Sequence, residues 1–219
     1  MGDSANSTPD IISPHVVAAN IPSGTNGFDR DYSPSATQFN QIYSDGYRFY
    51  IGYTQHMTDT DLSNALTNGF AVMMVEGFYS GMVSDYTGAE WAQYAINAAQ
   101  TIGYLTGCNL WLDLEGISNS ASEVIPWAND WYDAVQSAGY VPGIYVGEPE
   151  PLTSSQLYYD LNFSHYWRSC SGSTPNVDVR GYQIFQTQCN ASIAGISVDL
   201  DTVQTDNQGG LPIAEYYVS

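Results

Sequence analysis

The chain has 219 residues, 43% of them hydrophobic and only 12% charged, enough for one sizeable core and short for two full domains. Its 23 acidic residues face 4 basic ones for a formal net charge of -19, and the basic residues are all arginines: Arg30, Arg48, Arg168 and Arg180. Such acidity excludes nucleic acid as a partner, because neutralising phosphate takes basic groups, and it argues against an anionic membrane surface; no apolar run reaches the roughly 18 residues of a membrane span.

Residues 1–25, rich in Ser, Pro, Asn and Ala, read as an N-terminal arm packed across the bottom of a single domain spanning 26–219. They lack a basic region followed by an apolar run, so they do not form a signal peptide. Short apolar stretches with strand character then recur at 27–29, 47–54, 70–78, 110–115, 141–146, 165–169, 181–186 and 196–200. Helical patterns lie between the first five. Ser33-Pro34 reads as an N-cap and first-turn proline leading into Ala36 to Tyr43. Thr58-Asp59 opens a helix that closes at Asn68-Gly69. Thr87 with Glu90 is a capping box, followed by Trp91, Ala95, Ala98, Ile102 and Leu105 on one face. Ser120 with Glu123 is a second box, followed by Val124, Trp127, Trp131, Val135 and Ala138. Thr153 with Gln156 starts a shorter helix, and after residue 160 the helical signal fades.

Alternating strands and helices argue for a parallel sheet covered by helices. Eight strands favour closure into a TIM-like (β/α) barrel over an open doubly wound sheet, and the length is at the low end for that barrel. The three cysteines allow at most one internal disulfide. Cys170 with Cys189 is the preferred pair, because a short connection brings neighbouring strand ends together, and Cys108 reads as a small buried hydrophobe. No CxxC or HExxH occurs, so no metal and no cofactor are expected. The abundance of Tyr, Ser, Thr and Asn, with sequons at Asn6, Asn162 and Asn190, favours an extracellular, secreted protein.

Reactive groups of a parallel barrel sit at the C-terminal ends of its strands. Asp29 ends the first strand there, Glu76 falls near the end of the third, Asp113 and Glu115 end the fourth, and Asp199 and Asp201 end the eighth. In Trp111-Leu112-Asp113-Leu114-Glu115 the two acids share a face about 6.6 Å apart, with Trp111, Leu112 and Leu114 expected on the opposite face. Two carboxyl groups that close raise each other's proton affinity, which suits glycosidic cleavage: one acid protonates the leaving oxygen while another carboxylate stabilises or attacks the anomeric centre. The plain alternative is that strand-end acids cap loops or bind calcium. Closure of the barrel would bring Asp29 and Asp199 beside Asp113 and Glu115. Tyr53, Tyr145, Tyr166 and Trp167 also fall near strand ends, where aromatic faces could stack on sugar rings or fill the core. Glu76 could be a further cleft acid or a loop-capping one. Arg30 and Arg168 are expected to pair with local carboxylates.

The pattern resembles family 25 glycoside hydrolases, the bacterial, phage and fungal muramidases. Gly27-Phe28-Asp29 resembles their opening motif, Asp113-Leu114-Glu115 their strand-four acid pair, Gly143-Ile144-Tyr145 their fifth strand, Phe185-Gln186-Thr187 a variant of W-Q-Y, and Val198-Asp199-Leu200-Asp201 their terminal V-D-x-N. The likeness is closer still to a related glycoside-hydrolase-like domain of unknown function. There Pro34 follows the G-F-D, Gly88-Ala89-Glu90-Trp91-Ala92 precedes the acid-pair strand, and Gly139-Tyr140-Val141-Pro142-Gly143-Ile144-Tyr145 follows it. The resemblance covers about residues 26–205. It implies a (β/α)5β3 barrel with reduced last helices. It also implies Glu115 as general acid and Asp113 as its partner in stabilising charge or positioning substrate, with Asp29 and Asp199 completing an acidic mouth. The usual Asn two residues after the last-strand acid is Asp201 here, which puts the acidity of the site in question.

The expected function is therefore a secreted glycoside hydrolase acting on a β-linked amino-sugar polysaccharide, peptidoglycan by default, as a monomer. Catalytic candidates are Asp29, Asp113, Glu115 and Asp199; substrate-binding candidates are Tyr53, Glu76, Tyr145, Trp167, Gln186 and Asp201. A second reading is a catalytically inactive barrel that binds glycans or coats a surface. A third, a metal-dependent phosphodiesterase, lacks histidine ligands and a phosphate-binding cation. Bacterial walls are anionic and would repel this chain at low ionic strength, so a muramidase of this charge should work best in acid.

Overall fold

A computed structural model describes residues 15–218; the first part of the arm, with the Asn6 sequon, and Ser219 lie outside the described residues. The elements are β1 (His15–Asn20), β2 (Asn26–Arg30), α1 (Ala36–Ser44), β3 (Phe49–Tyr53), α2 (Asp59–Thr67), β4 (Ala71–Glu76), α3 (Met82–Asp85) and α4 (Gly88–Thr101). There follow β5 (Asn109–Leu114), α5 (Ala121–Ser137), β6 (Val141–Val146), α6 (Ser154–Tyr159), β7 (Tyr166–Arg168), β8 (Ile184–Ile193), β9 (Ile196–Val203) and β10 (Ile213–Val218).

Helices begin where short polar side chains can satisfy the free N–H groups of a first turn. Thr87 with Glu90, Ser120 with Glu123 and Thr153 with Gln156 each form a reciprocal box. The first helix starts later than Ser33 suggests. Its N-cap is Ser35, boxed with Gln38, while the Ser33 hydroxyl lies 3.1 Å from that of Tyr50. The face that α4 buries is Trp91, Ala92, Ala95, Ile96 and Ala99, and the helix stops before Ile102 and Leu105. No helix among the described residues is long and apolar enough to cross a membrane.

Strands β2 to β9 close into an eight-stranded barrel in which β2 to β8 run parallel. Helical crossovers follow β2 to β6, and β7, β8 and β9 then succeed one another without them, giving (β/α)5β3. The eighth strand departs from the all-parallel expectation, because β9 is antiparallel to both β8 and β2. The cause is local. Ile193 and Ile196 pair across Ala194-Gly195, whose φ values of 48° and 75° make a two-residue hairpin turn. Such a turn joins antiparallel strands, whereas a parallel connection needs a dozen or more residues.

Side chains alternate between the barrel interior and the helices. Phe49, Ile51, Met73, Val75, Trp111, Trp167 and Ile184 fill the interior. Phe28, Tyr50, Val72, Leu112, Leu114 and Ile144 pack outward. Trp111 therefore corrects the expectation that it faces the helices: it lies two residues from Asp113, shares its face and points inward, and Leu112 and Leu114 alone point out. The Trp111 ring occupies the space that a side chain at Gly143 would need. Ile21 and Ala214 close the bottom of this interior cluster. Beside them β1 and β10 form an antiparallel ribbon that meets β4 at Glu215 and Val72. Cys170 and Cys189 are joined with Cα atoms 6.1 Å apart, and Cys108 is buried and free.

Candidate active site

The alternation that fills the lower barrel with hydrocarbon places acids on the same inward face near its top. Along β5 and the residue that follows it the inward series runs Trp111, Asp113, Glu115. On β2 it runs Gly27, Asp29. Asp29 pairs in register with Asp199 of β9. Because β9 is antiparallel, Asp199 reaches this rim from the first half of its strand rather than from a C-terminal end, and Asp201 sits lower, opposite Gly27.

Asp29, Asp113, Glu115 and Asp199 thus gather at one mouth, around Tyr53. One hollow of about 300 Å³ is lined by Asp29, Asp31, Tyr32, Tyr53, Asn190 and Asp199. A second, of about 380 Å³, is lined by Asp31, Tyr53, His56, Phe78, Asp113 and Glu115. They share Asp31 and Tyr53, so the acids face a groove in two pairs.

Gln186 organises one pair. Its Oε1 accepts the backbone N–H of Cys170 at 3.0 Å and the Tyr145 hydroxyl at 3.1 Å. That N–H can only donate, which fixes the amide orientation. Nε2 then donates to Asp29 Oδ2 at 2.9 Å and to Asp199 Oδ2 at 3.1 Å. Asp199 Oδ1 also accepts the Asn190 backbone N–H at 2.6 Å. The Cys170–Cys189 bridge flanks this support.

The other pair differs in exposure. Asp113 is buried near the Phe78 backbone N–H, and its Oδ1 has no donor among the described residues. Burial, and then the charges of Glu115 and Asp29, hold its carboxyl well above the ordinary range. Glu115 is half-buried and reaches the groove. Its proton affinity is raised by burial first and by Asp199 next, against the opposing backbone N–H of Glu148. A side chain at Gly147 would collide with Glu115, so the bare backbone there sets how closely Glu115 packs against β6. Asp29 is raised to about 7, by burial and then by Asp199.

The substrate-binding candidates divide. Tyr53 lines both hollows. Tyr145 and Gln186 lie just beneath and work through hydrogen bonds. Trp167 is only 1% exposed and presents no face to a ligand; its indole N–H instead donates to Asp201 Oδ1 at 2.8 Å. Asp201 is likewise buried. Glu76 is not a groove acid. It is buried behind Gln55, takes the Thr54 hydroxyl at 2.7 Å, and is raised to about 7 by burial. Tyr166 faces the helices, where its hydroxyl donates to Leu157 O at 2.5 Å. Among the described residues Arg30 and Arg168 pair with no carboxylate: Arg30 donates to the carbonyls of Ser197 and Tyr32, and Arg168 to those of Ser169 and Ser171. Only Arg180, with Asp206 at 2.8 Å, makes an arginine–carboxylate pair among the described residues. No group of three or more His, Cys, Asp or Glu among the described residues could hold a metal ion.

Several groove residues carried no motif in the sequence. Tyr32, 59% exposed, stacks on His56 with ring centroids 4.1 Å apart, and His56 Nε2 lies 3.3 Å from Asp31. Phe78 stands on the far side over Gly116. Each falls within three residues after a strand end, and that position was the signal available to find them.

The sequence profile of the Rv2525c-like, glycoside hydrolase-like domain matches residues 40–207. No curated protein matches the chain. Among solved structures, an uncharacterized B. stearothermophilus protein superposes with a TM-score of 0.63 at 16% identity, covering 82% of this chain and 96% of that one. The bacterial lysozyme from Streptomyces coelicolor gives 0.59 at 17% identity, over 83% of this chain and 92% of that one. A muramidase from Acremonium alcalophilum gives 0.58 at 18% identity, over 84% and 95%. At such identities the likeness is one of fold.

Proposed function

The chain belongs to the Rv2525c-like, glycoside hydrolase-like domain family, and from that premise we propose that it is a secreted glycoside hydrolase cleaving a β-linked amino-sugar polysaccharide, peptidoglycan first. One observation carries the reading: Glu115, at the groove and biased towards its protonated form, stands across Tyr53 from an Asp29–Asp199 pair oriented by Gln186. A lysozyme and a muramidase that share the fold support the substrate class, and the Cys170–Cys189 bridge supports secretion.

In this mechanism the Glu115 carboxyl gives its proton to the glycosidic oxygen as the C–O bond breaks and the electron pair leaves with that oxygen. Positive charge develops at the anomeric carbon, beside the Asp29–Asp199 pair, whose carboxyl oxygens stabilise it. Water then supplies hydroxyl to the anomeric carbon and returns a proton to the acid. Asp113, beneath Glu115, is itself held towards its neutral form by burial and then by the charge of Glu115, and lends its carboxyl to positioning the substrate. Exposed Tyr32 and Phe78 offer ring faces to sugars on the two sides of Tyr53. The net charge of -19 sets an acid optimum, since neutralising carboxylates reduces repulsion from an anionic wall.

The experiment is product analysis on purified peptidoglycan at about pH 5 and pH 8. New reducing ends on soluble fragments, more abundant in acid, are expected. Co-sedimentation with walls and no new reducing ends would make the chain a glycan-binding barrel.

A further inference from the structure

Below the groove lies one carboxyl group that this chemistry leaves idle. Asp201 is 1% exposed, and its Oδ1 accepts the Trp167 indole N–H at 2.8 Å. Its Oδ2 is buried and receives no donor from the described residues. From β2 it faces Asp29, two residues along that strand from its own register partner Gly27; along β9 it faces Asp199; from β6 it faces the Tyr145 hydroxyl. From β8 it faces Gln186, whose Nε2 is committed to Asp29 and Asp199. No arginine side chain makes a bond in this layer among the described residues.

Two neighbouring carboxyl groups out of water can be joined by a hydrogen bond when they hold one proton between them. Asp29 already receives a donor from Gln186 and borders the groove, so it is the better site for negative charge. Asp201 is the deeper group, and an ionised Oδ2 there would be an unpaired buried charge. We propose that Asp201 is a positioning residue carried as the neutral acid, its Oδ2–H donating to Asp29 and fixing that carboxyl beside Asp199. Burial supports this by holding Asp201 well above the ordinary carboxylate range, whereas Asp29 titrates at about 7. The positioning role rests on the hydrolase reading; the protonation state does not.

Asp201→Asn tests both, since the amide keeps a carbonyl for Trp167 and an N–H for Asp29 but cannot ionise. Infrared difference spectra of wild type against this variant near pH 7 should show a protonated-carboxyl stretch that only the wild type has. The fall in unfolding free energy with rising pH should be shallower in the variant by up to about one proton. Asp201→Asn should keep turnover, and Asp201→Ala, folded or recovered at low temperature, should lose roughly 100-fold from a misplaced Asp29. A missing acid band with identical pH slopes overturns the proposal whatever the activity. If the band and slope difference are present but no form releases sugar, the hydrolase reading falls and the neutral acid stands.

Discussion

The lower and upper halves of the barrel interior use the same strands and the same faces for opposite ends. Two residues separate Trp111 from Asp113, Ile51 from Tyr53, and Ile184 from Gln186. The lower layer is hydrocarbon packed without polar conflict, and it holds the ring together. The upper layer brings Asp29, Asp113 and Asp201 out of water with few donors and no bonded arginine. The upper layer therefore costs stability that the lower layer supplies, the usual arrangement when a site must hold groups in unfavourable states.

Opposite signs of mutational effect would sharpen this contrast. Trp111→Ala should cost about 3–5 kcal/mol, a large share of the stability of a domain this size, read from denaturant unfolding. An unchanged midpoint would show that the lower layer does not carry the fold. Gly147→Ala leaves every carboxylate in place but drives a methyl group into Glu115, and turnover should fall roughly 100-fold with little change in the far-ultraviolet circular dichroism. Asp113→Asn should go the other way from Trp111→Ala, raising the melting temperature at neutral pH by about 2–4 °C per kcal/mol recovered. A large fall there would mean that the buried acid is well satisfied.

The pH dependence of wild-type stability has the same origin. Asp29 and Glu76 bind their protons up to about 7 in the folded chain, whereas unfolded carboxylates let go near pH 4. Between those values the unfolded state releases protons that the folded state keeps. Their contribution is thus complete below about pH 4 and is lost progressively as pH rises to about 7. Melting temperatures should decline over that window, and a rise would place the carboxylates in stabilising pairs instead.

The comparison also shows what the sequence could convey. The barrel strands and capped helices were legible because apolar runs, hydroxyl–carboxylate boxes and glycine stops are local signals. The inward acids Asp113 and Glu115 are legible from a period of two, and the same period turns Trp111 inward below them. The direction of β9 has no strong local signal, because it turns on Ala194-Gly195, a two-residue hairpin without the usual Asn or Asp. Gly195 was the available clue. Asp199 still reaches the mouth, but for the reason that an antiparallel strand presents its beginning there. Trp167 looked like a sugar platform because strand-end position does not reveal depth. Tyr32, His56 and Phe78 escaped because loop residues acquire their partners only when the barrel brings its loops together.

The central claim is that a protonated Glu115 delivers its proton to a sugar linkage. Release of reducing ends from purified peptidoglycan by wild type and by Glu115→Gln, at about pH 5 with matched melting curves, tests it most directly. Release by the wild type and none by a variant that melts no lower is the predicted result. Equal release by both, or none by the wild type, would contradict it.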